Sequence, residues 1–301
     1  MKILITGSNG LLGQKLVAAL RHDPQVQLVA TSRGADRTPI HLGPQYRSMD
    51  ITVQAEVDEV FATTMPEVVI HTAAMTNVDA CELDPAACQL QNVTATEHVV
   101  QAAKRHGCHF IHLSTDFIFD GENGPYREED VPAPLSIYGQ SKLDAEQLVM
   151  NAGLAKWAIG RTIIVYGIAE GLSRSNVVLW AKSALEKGQP IKVVDDQWRM
   201  PTLAEDLADG CIRIAKRGAT GIFNLSGPDG MSILELVQRV GAFFHLDTSV
   251  VTPVKSDSLG QPARRPPCTG FVLDKARREL GYAPRGFEEG LAVLKDQLHG
   301  Q

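Results

Sequence analysis

The chain has 301 residues, 44% hydrophobic and 21% charged, with a formal net charge of −6. That length supports one large or two modest domains around a buried core. A mildly acidic balance with no Lys/Arg run argues against nucleic-acid binding, which needs a basic face.

No apolar segment approaches the roughly 20 residues that span a bilayer, so no membrane role is expected. The N-terminal MKILITGSNG is too short in its apolar part, and too early in its glycines, for a secretory signal. The expectation is a cytoplasmic soluble protein. Cys81, Cys88, Cys108, Cys211 and Cys268 are odd in number and contain no CxxC pair, which predicts separate buried thiols. The histidines show no HExxH pattern, and His109 and His112 flank a strand-like run, so no metal site is predicted.

In chain order, KILIT (2–6) reads as a strand leading into a helix, LLGQKLVAALR (11–21). Between them TGSNGLLG (6–13) spaces Gly7, Gly10 and Gly13 as GxxGxxG, with Asn9, Leu11 and Leu12 at the turn. Such a turn lets backbone N–H groups approach a pyrophosphate at a helix N-terminus, and glycine removes the Cβ in the way. VQLVATS (26–32) is the second strand. An acid at its end would bind the 2′-hydroxyl of NAD, whereas an Arg accommodates the 2′-phosphate of NADP. Ser32 and Arg33 stand there, with no carboxylate before Asp36, so NADPH is expected and NADH is a possible alternative.

YRSMDI (46–51) is a third strand, whose Asp50 and Ile51 are placed for the adenine unless Asp50 caps the helix expected over 52–63. EVVIHTA (67–73), a helical region from 85 to 106 and HFIHLS (109–114) complete the first half. Apolar strands alternating with helices predict an α/β fold, a Rossmann-type doubly wound parallel sheet covered on both faces.

STD (114–116) follows a strand's C-terminal end, where such sheets place their sites. Thr115 is suited to hold a substrate oxygen and Asp116 to orient hydroxyls, with Ser114 facing the cofactor. IYGQSKLDAE (137–146) then sets Tyr138 and Lys142 on one helix face. A phenol, with a pKa near ~10, is a poor acid at neutral pH; a nearby ammonium stabilises the phenolate and lowers that pKa. A Tyr so tuned protonates a carbonyl oxygen as hydride reaches its carbon.

The second half is less regular. Thr202 with Glu205, and Ser232 with Glu235, read as capping boxes opening LAEDLADGCIRIAK and LELVQRVGAFF. Proline and glycine cluster over 253–270, and a final helix is predicted over 286–298. Trp157 and Trp180 are read as packing residues, and Trp198 and Met200 as either pocket lining or core. Asp195 and Asp196 read as a solvated acidic pair. The expected division is a dinucleotide-binding domain over 1–166, to which 190–224 returns, and a smaller substrate lobe from 167–189 and 225–301.

TGSNGLLG, HTAAMTNVDACE, STDFIFDG, YGQSK, RTIIVYG and MPTLAEDLA, in that order, resemble the extended short-chain dehydrogenases/reductases, and within them the dTDP-4-dehydrorhamnose reductase group. The resemblance runs from Met1 to ARRPP at 263–267. It implies reduction of a 4-keto nucleotide-sugar by a nicotinamide cofactor, with Thr115, Tyr138 and Lys142 catalytic. It implies cofactor contacts at Gly7, Gly10, Leu11, Leu12, Asp50, Ile51, Ala73, Ala74 and Asn92. Thr76, Val78 and Asp79 fall near cofactor and sugar, Asn176 near the substrate, and Arg264 and Arg265 suit its diphosphate.

Phe117 stands where the group commonly has Tyr, and Ile164 where rhamnose-forming members carry Trp, which leaves the sugar open. Lys15 occupies the place of a carboxylate that holds Mg²⁺ at a dimer interface in some members, so no metal bridge is expected; a homodimer remains possible. The alternatives are a nucleotide-sugar epimerase or dehydratase, or a regulatory subunit. The β subunit of methionine adenosyltransferase also resembles this group and shares a segment much like PYREEDVPAPLSIYGQSK.

Overall fold

The computed structural model describes residues 1–38, 42, 45–172 and 175–299. Strand β1 (Lys2–Thr6) is buried on both faces, as the run KILIT requires, and leads into α1 (Leu11–Leu20). β2 (Gln27–Ser32) follows, and then β3 (Tyr46–Ser48), shorter than the run YRSMDI suggests. α2 (Gln54–Thr64) and β4 (Val68–His71) come next.

The region expected as one helix over 85–106 is divided. α3 (Val78–Leu83) and α4 (Pro85–Gln89) precede a widened π-type turn, Leu90–Thr94, and α5 (Ala95–Arg105). Such a turn re-aims the side chains it carries. α5 starts with Glu97 and ends with Lys104 and Arg105, charges that suit its dipole, and buries Val99, Val100, Ala102 and Ala103.

β5 (His109–Thr115) is buried throughout, and α6 (Ile137–Asn151) returns the chain to β6 (Lys156–Thr162). β7 (Val165–Tyr166), α7 (Val177–Glu186), β8 (Ile191–Val194), β9 (Trp198–Arg199), β10 (Thr202–Leu203), α8 (Ala204–Arg217) and β11 (Gly221–Asn224) follow. β12 (Met231–Ser232), α9 (Ile233–Phe244), β13 (Val251–Val254) and α10 (Phe287–His299) complete the order.

Seven parallel strands form the main sheet in the order β11-β6-β5-β4-β1-β2-β3. Strand order reverses between β1 and β4, where an open α/β sheet has its binding crevice. One face buries Leu16, Val17 and Leu20 of α1 against Leu207, Cys211 and Ile214 of α8. The other buries Val57, Val60 and Phe61 of α2, Val99 and Val100 of α5 and Val149 of α6. A third cluster, from α7, α9 and α10, makes the lobe core around Tyr166, Val178, Val237 and Leu291.

The segment 190–224 is split between the two parts. α8 and β11 pack on or join the main sheet, but β8 pairs with β13 and β9 with β12, both in the lobe.

Ser232 caps α9 by accepting from the Glu235 N–H, as its spacing predicts. Thr202 does not cap α8: its hydroxyl donates to the Ile163 carbonyl, and Leu203 occupies the N-cap position. Trp180 is 39% exposed and does not pack as expected; Trp157 is half-buried against the second core cluster. Trp198, 47% exposed, is neither core nor cavity lining, while Met200 packs with Phe271 and Ile118. The Asp195 carboxylate pairs with Lys255, and Asp196 accepts from Ser256, so both tie β8 to the segment after β13. No helix among the described residues is long and apolar enough to cross a membrane.

Candidate active site

The glycine turn is built by steric necessity. Gly7 has φ +71°, and a Cβ there would lie 2.8 Å from the Ala73 nitrogen. A Cβ on Gly13 would lie 2.2 Å from the Gly7 carbonyl oxygen, so α1 starts closer to β1 than any side chain allows. Gly10 occupies the N-cap of α1 and offers no side chain to its first-turn N–H groups. Those groups face a cavity of ≈ 780 Å³ and suit an anion. Ser114 Oγ, which also lines the cavity, is buried without a hydrogen-bond partner among the described residues. The cradle and this unmatched polar atom fit a dinucleotide.

Gly7, Asn9, Gly10, Leu11 and Leu12 line the cavity, as do Ala73, Ala74 and Thr76. Asn9 also organises the loop after β2, donating to the Ala35 carbonyl and accepting from the Arg37 N–H. Ser32, Arg33, Asp50 and Ile51 line it too. Asp50 does not cap α2, whose N-cap is Val53; its carboxylate accepts from the N–H and hydroxyl of Thr52. Arg33 is 74% exposed, 3.8 Å from Asp50. Asp36 accepts from Thr38 and the Leu42 N–H, so it serves its own loop. Arg37 also lines the cavity. Sequence reasoning passed over it, although SRGADR placed a second Arg four residues after Arg33.

Asn92 does not reach the cavity, contrary to the expectation. From the π-type turn it accepts from the Met75 N–H and donates to the Met75 carbonyl and Ser141 Oγ. It straps the 73–76 segment in place.

Thr115 ends β5, and Ser136 caps α6, accepting from the Gly139 N–H at 3.2 Å. A Cβ on Gly139 would lie 2.2 Å from the Phe117 carbonyl oxygen. This close seat brings Tyr138 beside Thr115 and sets its ring edge-on to Phe117, with centroids 5.9 Å apart. Lys142, one turn on, is 4% exposed, and its Nζ lies 3.2 Å from His112 Nε2. Burial drives the Tyr138 phenol above its ordinary value, against the Thr115 hydroxyl, which draws it back. Burial also lowers Lys142 to about 8, against the opposing pull of Glu146 and Cys88. Desolvation therefore outweighs the stabilising contacts at the phenol, and the Lys142 ammonium is directed to His112.

Asp116 is on the wall but already engaged, accepting from the hydroxyls of Thr115 and Thr269 and lying 3.8 Å from the Arg199 guanidinium. Arg199, 1% exposed, donates to the carbonyls of Trp198 and Pro266 and so fastens the 266–269 segment beside STD. The sequence carried no local signal for that clamp.

Val78, Ile164, Asn176 and Arg265 also line the cavity. Ile164 has φ +30°, a strained value for a β-branched residue, held by the Thr202 N–H on its carbonyl. Asn176 caps α7 and donates to the Gly167 carbonyl; Ser173 and Arg174 of the same stretch lie outside the described residues. Asp79 does not line the cavity: it pairs with Arg265, whose Nη1 donates to the Ala263 carbonyl. Arg264 is exposed and off the cavity. Lys15 pairs with Glu205 at 2.8 Å. No group of His, Cys, Asp and Glu among the described residues is arranged to hold a metal ion.

Residues 1–299 match the family described as RmlD substrate binding domain. The β subunit of methionine adenosyltransferase 2 from Pongo abelii is 32% identical over 94% of this chain and 84% of its own. A dTDP-4-dehydrorhamnose reductase crystal structure from Clostridium acetobutylicum superposes with TM-score 0.87 at 30% identity, covering 99% of this chain and 100% of that one. The Bacillus anthracis dTDP-4-dehydrorhamnose reductase, solved in complex with NADP, gives TM-score 0.85 at 26% identity over 98% and 99%.

Proposed function

Because the chain belongs to the RmlD substrate-binding-domain family, we propose that it reduces a 4-keto nucleotide-sugar with NADPH, NADH being the second cofactor. dTDP-4-dehydro-L-rhamnose is the first substrate to test. One observation carries the reading: a single cavity is lined by the Gly7–Gly10 turn, by Thr115, Tyr138 and Lys142, and by Arg265. That set suits a dinucleotide and a nucleotide-sugar meeting at the phenol.

A nicotinamide cofactor in this cleft supplies the hydride. The open N-terminus of α1 receives its pyrophosphate, and the Ser114 hydroxyl supplies a polar contact on the wall. Tyr138 is held as the neutral phenol by burial, the form that gives a proton to the carbonyl oxygen. Thr115 orients that oxygen by turning its hydroxyl hydrogen from Asp116 to it, and the ammonium of Lys142, one turn on, offsets part of the cost of the phenolate left behind. Arg265, with Nη2 on Asp79 and Nη1 on the Ala263 carbonyl, presents its remaining N–H donors to the diphosphate.

The test is a panel of nucleotide 4-keto-sugars assayed by loss of NADPH absorbance. Turnover on at least one is expected; no oxidation with any sugar and either cofactor rejects the reading. The relative from Pongo abelii, a subunit of methionine adenosyltransferase, favours a second reading as a non-catalytic partner. Co-purification with a synthetase, together with no turnover on the panel, would select it.

A further inference from the structure

Among the described residues, Lys142 pairs with no carboxylate. Glu146, the nearest acid on its helix, receives both Nε and Nη2 of Arg161 from β6, at 3.0 and 2.7 Å. Cys88 of α4 is held by Asn92 and by Ser141 Oγ. The hydrogen-bond partner left for the ammonium is His112 Nε2 on β5, 1% exposed.

The hydrogen-bond pattern behind it assigns the protons. Thr96 donates its hydroxyl hydrogen to the Asn92 carbonyl, so its oxygen accepts from His71 Nε2. His71 Nδ1 then accepts from the Thr6 hydroxyl, and this imidazole is neutral. The His71 ring stacks on His112, with centroids 5.6 Å apart, from the facing position on β4. A second charge on His112 would lie between an ammonium and that ring, so it too is neutral. With Lys142 protonated, His112 Nε2 is the acceptor and its proton sits on Nδ1, an atom buried without a partner. That orphaned N–H is a cost of the kind found where function outweighs satisfaction.

We propose that His112 is a positioning residue for Lys142: its neutral imidazole accepts from the ammonium and holds it at the back of the cleft beside Tyr138. The proposal rests on the reductive reading of that centre. The imidazole keeps the lysine protonated in a site that otherwise strips its charge, and fixes its direction.

Three measurements test it. In ¹⁵N spectra of the unaltered chain at pH 7, His112 should carry its proton on Nδ1 with Nε2 bare; a protonated Nε2 overturns the proposal. In chain labelled at the lysine Nζ, with the Lys142 signal identified by its loss in Lys142→Met, the titration midpoint should lie near pH 8. In His112→Leu it should fall by about one pH unit, the loss of one hydrogen bond to a charge. His112→Gln, whose amide oxygen accepts, should restore most of it. An unmoved midpoint in folded His112→Leu overturns the proposal, and His112→Met is read the same way should the Leu variant not fold. The reductase reading fails separately: absent NADPH oxidation with shifted midpoints rejects that reading and leaves the positioning role, whereas oxidation with unmoved midpoints does the reverse.

Discussion

Arg265 Nη2 lies 2.7 Å from Asp79 Oδ2, so two residues expected to meet the substrate separately bind each other. The pair joins the 263–269 segment to the start of α3, and Arg265 reaches the cleft already oriented. Arg265→Ala should raise KM for the nucleotide-sugar roughly 10- to 100-fold, the worth of a charge-assisted contact to phosphate, with kcat little changed. Asp79→Asn should raise it less, since the guanidinium remains and only its aim is loosened. Steady-state kinetics decide, and an unchanged KM in Arg265→Ala places the diphosphate elsewhere.

Tyr138→Phe should lower kcat by about 10²- to 10⁴-fold, the usual contribution of a positioned acid. The ring stays, edge-on to Phe117, and Gly139 keeps α6 seated on the STD turn. NADPH affinity, read by fluorescence titration, should therefore hold within about threefold. Near-normal turnover would remove Tyr138 as the acid.

What the sequence made legible was local. The glycine turn, the hydrophobic strands of the nucleotide half and the one-turn step from Tyr138 to Lys142 depend on neighbours within a few residues, and all lie where spacing put them. What escaped was set by distant partners. Asn92 looks available to a cofactor until the π-type turn delivers it to Met75. Thr202 looks like a cap until the tertiary fold offers it the Ile163 carbonyl. Asp116 is drawn away by Arg199 and Thr269, 83 and 153 positions along the chain, separations over which no residue pattern reports.

The two buried bases each make stability rise with pH, in separate windows. His71 falls from 6.5 to about 3 because burial excludes its charged form. The unfolded chain binds that proton below pH 6.5 and the folded chain does not, so stability is complete above 6.5 and is lost toward pH 3. One such proton costs about 1.4 kcal/mol per pH unit inside the window. Lys142, lowered from 10.5 to about 8, acts at the other end: the unfolded state again holds more protons between 8 and 10.5, so stability rises with pH there. Lys142→Met should therefore stabilise the chain most at pH 7, with the gain shrinking through that window. Urea unfolding at pH 7, 9 and 10.5 checks the alkaline limb. A gain that is constant with pH would mean Lys142 is not the group that titrates.

The cofactor's ribose is the place where two exposed arginines must outdo weak energetics. Arg33 and Arg37 both line the mouth, and Asp36, the acid that would favour a 2′-hydroxyl, is bound to Thr38 and Leu42. Exposed ion pairs contribute at most about 1 kcal/mol, so neither arginine alone should set the preference. Arg33→Ala and Arg37→Ala should each raise KM for NADPH a few-fold, and together roughly 10-fold, while leaving KM for NADH unchanged. Arg33 is partly held by Asp50 at 3.8 Å, so the larger single effect should come from Arg37. Equal losses for both cofactors would show that the arginines support the loop rather than read the phosphate.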